Sequence, residues 1–183
     1  MSDGVGGVGP RALVITASDR AASGERADVS GETIAGRLRR LGFEVERRVV
    51  PDDQAVIERA LVDGAAANPL VLTTGGTGLT PRDVTPQATA AVLDYEVPGL
   101  AEAMRESGRR STPMASLSRG VAGVRGRTLI VNLPGSPAGA AESFDAIAPV
   151  LRHALETLAG PFDHSSPDGA ADPARRPPGS APG

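Results

Sequence analysis

The feature that constrains this chain most is an apolar run that passes directly into a glycine-rich segment. The run Leu70-Val71-Leu72 predicts a buried strand, and residues 73–86 follow it with the sequence TTGGTGLTPRDVTP. Glycines let a backbone turn tightly and bring its N–H groups against an anion, while Thr85 and Pro86 predict the N-cap and first residue of a helix. A strand, a glycine turn and a helix in this order predict a phosphate cradle. Asp83, just ahead of the helix, could hold a metal that bridges the phosphates.

Strands and helices alternate along the chain, as judged from the spacing of its apolar residues. The predicted helices contain residues 34–41, 56–61, 87–93, 100–107 and 144–158, and the predicted strands are 12–16, 44–50, 70–74 and 128–131. The last strand follows a hairpin turn near Arg125-Gly126. Such alternation is typical of an α/β protein, and we predict a three-layer α/β/α arrangement with a mostly parallel sheet.

Length and composition indicate one soluble domain. A chain of 183 residues usually forms one unit, which we place at residues 11–160. A flexible N-terminus over residues 1–10 precedes it, and a Pro-, Gly- and Ala-rich tail over residues 161–183, predicted to be disordered, follows it. The net charge of -3 lacks the basic excess of a nucleic-acid binder and favours a small polar or anionic ligand. No apolar run is long enough to span a membrane, and the first residues lack the features of a signal peptide, so we expect a cytoplasmic protein.

Two missing residue types restrict the chemistry further. The chain has no cysteine, which excludes disulfides, thiolate nucleophiles and cysteine-ligated metals. It also has no lysine, which excludes Schiff-base catalysis and a Walker-type P-loop. Phosphate charge must therefore be met by backbone N–H groups, by a metal or by arginine.

The arginines fall into two sets. Arg20, Arg82 and Arg119 lie in or near segments that follow strands and could clamp a phosphate, although each could equally be a surface residue. A denser group is better explained as a solvated surface, namely Arg37, Arg39, Arg40, Arg47 and Arg48.

Three predicted strands end in polar segments. These are Ser18-Asp19-Arg20, the stretch from Thr74 to Gly78, and the stretch from Asn132 to Pro137. Ligands of open α/β sheets bind at the carboxyl ends of strands, so the three segments could converge on one pocket. Each segment alone is explained equally well as an ordinary turn. Their joint occurrence after strands favours a binding site.

The aspartates in these regions allow two interpretations. Asp52 and Asp53 follow the second strand, and Asp83 follows the glycine segment. Taken singly, each is best explained as a residue that starts a helix or a turn, where a carboxylate satisfies free N–H groups. In the functional interpretation, Asp83 and either Asp52 or Asp53 provide carboxylates to Mg²⁺, which keeps its other sites for water and phosphates. Asp19 could join them or orient an amide of a heterocycle.

The same segments together resemble the MoaB/Mog family of molybdenum-cofactor biosynthesis. The resemblance rests on residues 71–86, Ser18-Asp19-Arg20, Pro51-Asp52-Asp53, Leu117-Ser118-Arg119-Gly120 and the run from Val131 to Pro137. The order and spacing match throughout, and the resemblance covers roughly residues 11–160. The glycine segment combined with the Asn-Leu-Pro-Gly motif is highly specific, unlike a lone glycine pattern.

This resemblance implies a molybdopterin-binding fold, usually a homotrimer, and a reaction in which ATP and Mg²⁺ adenylylate molybdopterin, with release of pyrophosphate. The product would then pass to the enzyme of molybdate insertion. The family's two catalytic, metal-holding aspartates fall on Asp52 and Asp83. The substrate and nucleotide site falls on a larger set of residues, namely Ser18, Asp19, Thr74, Gly75, Gly76, Thr77, Gly78, Arg82, Ser118, Arg119, Asn132, Pro134, Gly135 and Ser136.

Two further interpretations stay open from the sequence. One is a non-catalytic molybdopterin-binding carrier or assembly module, because some members of the family bind the pterin and are thought not to be catalytic. The other is a regulatory nucleotide-binding protein, for which the glycine segment is the sole motivation. The missing lysine and the second set of motifs argue against the latter.

Overall fold

Alternating strands and helices build the part of the chain that the computed structural model describes, residues 9–160. The predicted flexible N-terminus (residues 1–10) and disordered tail (residues 161–183) lie outside it, except for Gly9 and Pro10. The elements are β1 Arg11–Ala17, α1 Asp19–Ala22, α2 Val29–Arg40, β2 Glu44–Val50, α3 Gln54–Ala67, β3 Leu70–Thr74, α4 Thr85–Val92, β4 Tyr95–Glu96, α5 Pro98–Ser111, a 3-10 helix Pro113–Leu117, β5 Ala122–Arg125, β6 Thr128–Leu133 and α6 Pro137–Ala159.

The strands form one six-stranded sheet with the order β2-β1-β3-β6-β5-β4. Strands β2, β1, β3 and β6 run parallel, whereas β5 is antiparallel to β6 and β4 is antiparallel to β5. The predicted mostly parallel sheet is therefore confirmed, with an antiparallel edge. Because β3 lies between β1 and β6, the segments that follow these three strands leave the sheet side by side.

Helices cover both faces of the sheet and form two cores. Helices α2, α5 and α6 pack on one face around Phe144, Ile147 and Leu38, while α3 and α4 pack on the other around Ile57 and Leu61. Strands β3 and β6 are buried along their whole length, which explains their continuous apolar sequence. This arrangement confirms the predicted three layers. None of the helices within residues 9–160 is long and apolar enough to cross a membrane.

The start of α4 corrects one prediction. Thr85 is the first helical residue and not the N-cap, which is Val84 and forms no side-chain capping bond. The Thr85 N–H donates to the Gly76 carbonyl at 3.1 Å, which ties the start of the helix to the glycine loop. The Thr85 hydroxyl is fully buried against Gly76 and has no hydrogen-bond partner within residues 9–160. The Thr85 side chain therefore leaves no room for a side chain at Gly76.

Candidate active site

The segments after β1, β3 and β6 pack against one another, as their position in the sheet predicts. The Gly75 N–H donates to the Leu133 carbonyl at 3.3 Å, and Gly75 has a φ of 91°, so it must be glycine. A side chain at Gly75 would collide with the Ala17 carbonyl oxygen. Ser30 of α2 donates its hydroxyl to the Gly135 carbonyl at 2.6 Å. The contacts bring all three predicted polar segments to one edge of the sheet.

Asp19 and Asp52 bind each other's backbone. The Asp19 N–H donates to Asp52 Oδ2 at 2.9 Å, and the Asp52 N–H donates to Asp19 Oδ1 at 3.0 Å. Asp19 Oδ2 also accepts from Arg82, through Nε at 3.1 Å and through Nη2. Both Asp19 oxygens are thus occupied, whereas Asp52 Oδ1 has no donor among residues 9–160. Asp52 is therefore held in place with one oxygen free.

Burial, hydrogen bonds and neighbouring charges shift the pKa values of Asp52 and Asp19 in opposite directions. Burial raises the pKa of Asp52, and repulsion from Asp19 and Asp83 acts in the same direction. The hydrogen bond from Arg82, followed by the one from the Asp52 N–H, lowers the pKa of Asp19. These interactions place the carboxylates of Asp19, Asp52 and Asp83 in one electrostatic neighbourhood with the Arg82 guanidinium.

Asp83 is held by its own turn. Its Oδ2 accepts the Thr80 N–H at 2.8 Å and the Thr80 hydroxyl at 2.7 Å. Partial burial is the largest influence on the pKa of Asp83 and acts to raise it. The hydrogen bonds from Thr80 and Gly78 together with the charge of Arg119 outweigh burial and lower the pKa. Asp83 thus favours its ionised form.

Asp52 and Asp53 have different hydrogen-bond partners. Asp53 is the N-cap of α3, and its Oδ1 accepts the Val56 N–H at 3.0 Å. Ser18 has a comparable capping bond, because its Oγ accepts the Ala21 N–H of the short α1 at 3.3 Å. Asp52 instead faces Asp19, so it is the residue of the pair that joins the carboxylate group.

Arg119 is hydrogen-bonded through its side chain to the glycine loop and does not extend into solvent. Its N–H donates to the Thr77 carbonyl at 3.0 Å, its Nε donates to the Gly78 carbonyl at 2.7 Å, and its Nη2 donates to the Asp83 carbonyl. The carbonyl groups of the loop are therefore turned toward Arg119. No residue between 9 and 160 accepts a hydrogen bond from the N–H groups of Gly76 or Thr77. Free N–H groups in a glycine turn are what an anion cradle requires.

Two predicted ligand-binding residues are internal. The Asn132 amide donates to Thr73 at 3.0 Å and to Thr89 at 2.9 Å, and its oxygen accepts the Val121 N–H at 3.2 Å. Thr74 is fully buried, and its hydroxyl pairs with Thr16 at 3.0 Å. With their side chains occupied by these bonds, both residues fix the segments that contain them.

Two cavities flank these segments. The first, of about 260 Å³, lies between α5, the 3-10 helix and α6, and of the predicted site residues it is lined by Thr77, Gly78, Ser118, Asn132, Pro134 and Ser136. The second, of about 310 Å³, is lined on its site side by Ser18, Thr74, Gly75, Gly135 and Ser136. Ser136 borders both cavities and caps α6 by accepting the Gly139 N–H at 3.2 Å. Part of the predicted set thus surrounds two adjoining spaces, whereas six of its members line neither cavity, namely Asp19, Asp52, Gly76, Arg82, Asp83 and Arg119.

The sequence did not reveal the residues of α5, the 3-10 helix and α6 that line the first cavity. Met104 and Arg105 of α5, Met114 of the 3-10 helix and Glu142 of α6 line it. Apolar spacing on α5 and α6 indicated which faces pack on the sheet, but it does not report which residues lie beside a cavity. The position of Glu142 six residues after Ser136, near the start of a helix that leaves a predicted site segment, is the signal that could have found it.

Comparison with known proteins identifies the family. A family model described as a probable molybdopterin binding domain matches residues 13–153. A molybdopterin adenylyltransferase of Escherichia coli K12 is 40% identical over 173 residues, which cover 85% of this chain and 88% of that protein. The one from Helicobacter pylori J99 is 37% identical over 155 residues, covering 81% and 88%.

Solved structures agree with these sequence matches. The molybdopterin biosynthesis enzyme MoaB of Thermus thermophilus is 52% identical, with a TM-score of 0.77 over 84% of this chain and 99% of that one. The molybdopterin biosynthesis Mog protein of Mycobacterium ulcerans is 48% identical, with a TM-score of 0.78 over 81% and 99%. The fold and the resemblance inferred from the sequence are both confirmed.

Proposed function

Because the chain belongs to the molybdopterin-binding family of molybdenum-cofactor biosynthesis, we propose that it acts as a molybdopterin adenylyltransferase. It would join the terminal phosphate of molybdopterin to the α-phosphorus of ATP and release pyrophosphate. The observation that carries this proposal is the position of Asp52 and Asp83 beside the glycine loop, at the sheet edge where three segments meet. Two carboxylates next to free N–H groups suit a reaction between two phosphates.

The donor set fits a magnesium ion. Within residues 9–160 no group of three or more His, Cys, Asp or Glu side chains could hold a metal. Asp52 Oδ1 has no donor among residues 9–160, and Asp83 favours its ionised form. Mg²⁺ typically binds one or two carboxylates and completes its shell with water and phosphate oxygens. Repulsion from Asp83 contributes to the raised pKa of Asp52, and a cation held by these carboxylates would offset it. A bound Mg²⁺ would neutralise charge on the reacting phosphates.

The residues of the chain would position the substrates. The N–H groups of Gly76 and Thr77 would hold phosphate oxygens, because Arg119 has turned the neighbouring carbonyls away. Arg82 pairs with Asp19 at an exposed position and could exchange this partner for a phosphate. A phosphate nucleophile is already ionised, so the reaction needs no strong general base. This agrees with a site that contains no histidine among the described residues.

The test is formation of adenylyl-molybdopterin from ATP, Mg²⁺ and freshly prepared molybdopterin. We expect Asp52→Asn and Asp83→Asn to lower the rate by about 100-fold or more, because each removes charge placed for the transition state. Asp53→Asn is the matched control, since asparagine still caps a helix and should leave the rate unchanged. Pterin binding without any product from the native chain would instead support the non-catalytic carrier.

The remaining expectations from the family are part of the same proposal. A homotrimer of the 18.5 kDa chain, a cytoplasmic location and transfer of the product to a molybdate-insertion enzyme would complete the role. Light scattering on the purified protein tests the assembly. A mass three times that of the chain supports the trimer, and the mass of a single chain contradicts it.

A further inference from the structure

A continuous chain of side-chain hydrogen bonds runs from the start of the glycine loop to the edge of the sheet. The hydroxyl of Thr74, the last residue of β3, pairs with that of its register partner Thr16 on β1 at 3.0 Å. The Thr16 hydroxyl donates to Asp28 Oδ1 at 2.9 Å, and Asp28 Oδ2 accepts from Arg47 Nη2 of β2 at 2.8 Å. Three strands and the start of α2 are thereby connected.

The carboxylate gives this chain one direction. A carboxylate only accepts hydrogen bonds, and a threonine hydroxyl has a single O–H to donate. Because Thr16 donates to Asp28, Thr74 has to be the donor in its bond to Thr16. The three side chains are buried, so water does not compete for these bonds. A buried and satisfied network rigidifies the groups that it joins, and it therefore holds the Thr74 side chain in one position.

The Asp28 carboxylate has protein partners on both oxygens. Oδ1 also accepts the Gly31 N–H at 2.8 Å, in addition to the bond from Thr16, and Oδ2 is paired with Arg47. Gly31 packs so closely that a side chain there would collide with the Thr16 hydroxyl and the Asp28 carboxylate. Thr16 and Asp28 border the second cavity, but their bonds are directed into the protein. An effect of Asp28 on a ligand therefore passes through the residues that it holds.

Thr74 is the residue from which the glycine loop starts. Gly75 and Gly76 follow it with φ angles of 91° and 63°. Two successive glycines leave the backbone free to turn in other ways, so the direction of the loop N–H groups depends on how the two ends of the loop are held. Arg119 holds the far end through the Gly78 carbonyl at 2.7 Å. The buried chain holds the near end at Thr74.

Resting on the proposed function, we propose that Asp28 is a positioning residue of the reaction, which acts through Thr16 and Thr74 to direct the N–H groups of the glycine loop toward the phosphates. Arg47 completes the arrangement, because a buried carboxylate without a cation beside it is unfavourable. A displacement of about 1 Å in a group that positions a substrate can lower a rate by about 100-fold. The effect of Asp28 therefore falls on the geometry of the loop.

The experiment breaks the chain at its centre. Thr16→Val removes the linking hydroxyl at nearly constant shape, whereas Thr16→Ser keeps it. The matched control is Thr128→Val, because Thr128 is a buried residue at the opposite end of the sheet whose hydroxyl donates to the Ala65 and Asn68 carbonyls at 2.9 and 2.8 Å. Three quantities are measured on the full chain: kcat/KM for adenylyl-molybdopterin formation, urea unfolding, and hydrogen exchange of the Gly75 N–H by NMR.

We expect Thr16→Val and Thr128→Val to lose stability to a similar extent, because each removes buried hydrogen bonds. Only Thr16→Val should lower kcat/KM, by about 10-fold or more, and speed exchange of the Gly75 N–H. Thr16→Ser should restore both to near the native values. A kcat/KM for Thr16→Val equal to that for Thr128→Val, with native exchange at Gly75, would overturn the positioning role and leave the proposed function intact.

A second pair of variants tests the remote end of the chain. Arg47→Gln removes the cation beside Asp28 and should lower kcat/KM several-fold. Arg48→Gln is its control, since Arg48 pairs only with Glu46 of the same strand at an exposed position, at 3.2 Å, and should keep the native rate. A native rate for Arg47→Gln would overturn the part assigned to Arg47. A native chain that forms no adenylyl-molybdopterin would overturn the proposed function, while exchange of the Gly75 N–H would still report whether the chain holds the loop.

Discussion

At the scale of single residues, Gly75 is where the glycine loop comes closest to β1. Its φ of 91° is strained for any residue with a side chain, and a methyl group would collide with the Ala17 carbonyl. We expect Gly75→Ala to lower the free energy of unfolding by about 2–5 kcal/mol, from backbone strain together with the collision. Denaturant unfolding measures this difference.

Gly126 at the β5–β6 turn separates the two causes. Its φ is 57°, but nothing lies within 4 Å of an added methyl group. Gly126→Ala should therefore cost only the strain, about 1–2 kcal/mol. Equal losses for the two variants would show that contact with Ala17 does not constrain the loop.

The pairing of Asp19 with Arg82 makes a prediction about pH. Arg82 lowers the pKa of Asp19 in the folded protein. The resulting stability is fully present above the unfolded pKa, about 3.9, and is lost as the pH falls through the lower folded value. We expect Arg82→Gln to lower the unfolding temperature slightly at pH 7, since both side chains are exposed, and this difference to shrink below about pH 3.9.

Thermal unfolding between pH 7 and pH 3 tests this expectation. Arg59→Gln is the control, because Arg59 is exposed and forms no ion pair with residues 9–160. Its difference from the native protein should not change with pH. A constant difference for Arg82→Gln as well would mean that its ion pair with Asp19 does not form in solution.

At the scale of elements, the N-terminus of α2 is stabilised by a half-buried network that the sequence did not reveal. Asp28 caps the helix by accepting the Gly31 N–H at 2.8 Å, and it also accepts from Thr16 at 2.9 Å and from Arg47 at 2.8 Å. The group of arginines from Arg37 to Arg48 predicts a solvated surface. That interpretation is wrong for Arg47, because its partner Asp28 has a side chain only 6% exposed.

We expect Asp28→Ala to lower the free energy of unfolding by about 2–4 kcal/mol, since it removes a helix cap and leaves two donors without their acceptor. Asp53→Ala removes the cap of α3 at an exposed position and should cost about 1 kcal/mol. Urea unfolding of the two variants provides the comparison. A loss for Asp28→Ala no larger than that for Asp53→Ala would argue against the network.

The sequence locates every long element with a strong apolar pattern, although α6 begins at Pro137, seven residues before its predicted apolar face, and β6 ends at Leu133, two residues after its predicted limit. Strands β2 and β3 match their predicted limits. Strand β3 begins with a continuous apolar run, and β2 lies between the turn formers Gly42 and Pro51, which leave little choice for its ends. Strand β4 and the 3-10 helix were missed, since both are short and depend on contacts with residues distant in sequence. The same limit applies to the site. Spacing located the segments, but only tertiary hydrogen bonds show that Asp52 faces Asp19 and that Asn132 is internal.

At the scale of the whole molecule, the candidate site joins distant parts of the chain. The hydroxyl of Ser30, in the first third of the chain, holds the Gly135 carbonyl of the segment after β6 at 2.6 Å. This bond fixes Pro134 and Ser136, which border the first cavity. Precise positioning of such a segment affects binding more than global stability, because water can satisfy the exposed Gly135 carbonyl when the hydroxyl is removed.

We therefore expect Ser30→Ala to cost about 1 kcal/mol or less in the free energy of unfolding but to raise KM for molybdopterin several-fold. Ser23→Ala is the control, since the Ser23 hydroxyl bonds only to the nearby Arg20 carbonyl at an exposed turn. Steady-state kinetics and urea unfolding of both variants separate the two effects. If Ser30→Ala loses stability while KM stays at the native value, the bond serves the fold alone. A raised KM at nearly native stability would mean that a contact between the first and last thirds of the domain sets the shape of the substrate site.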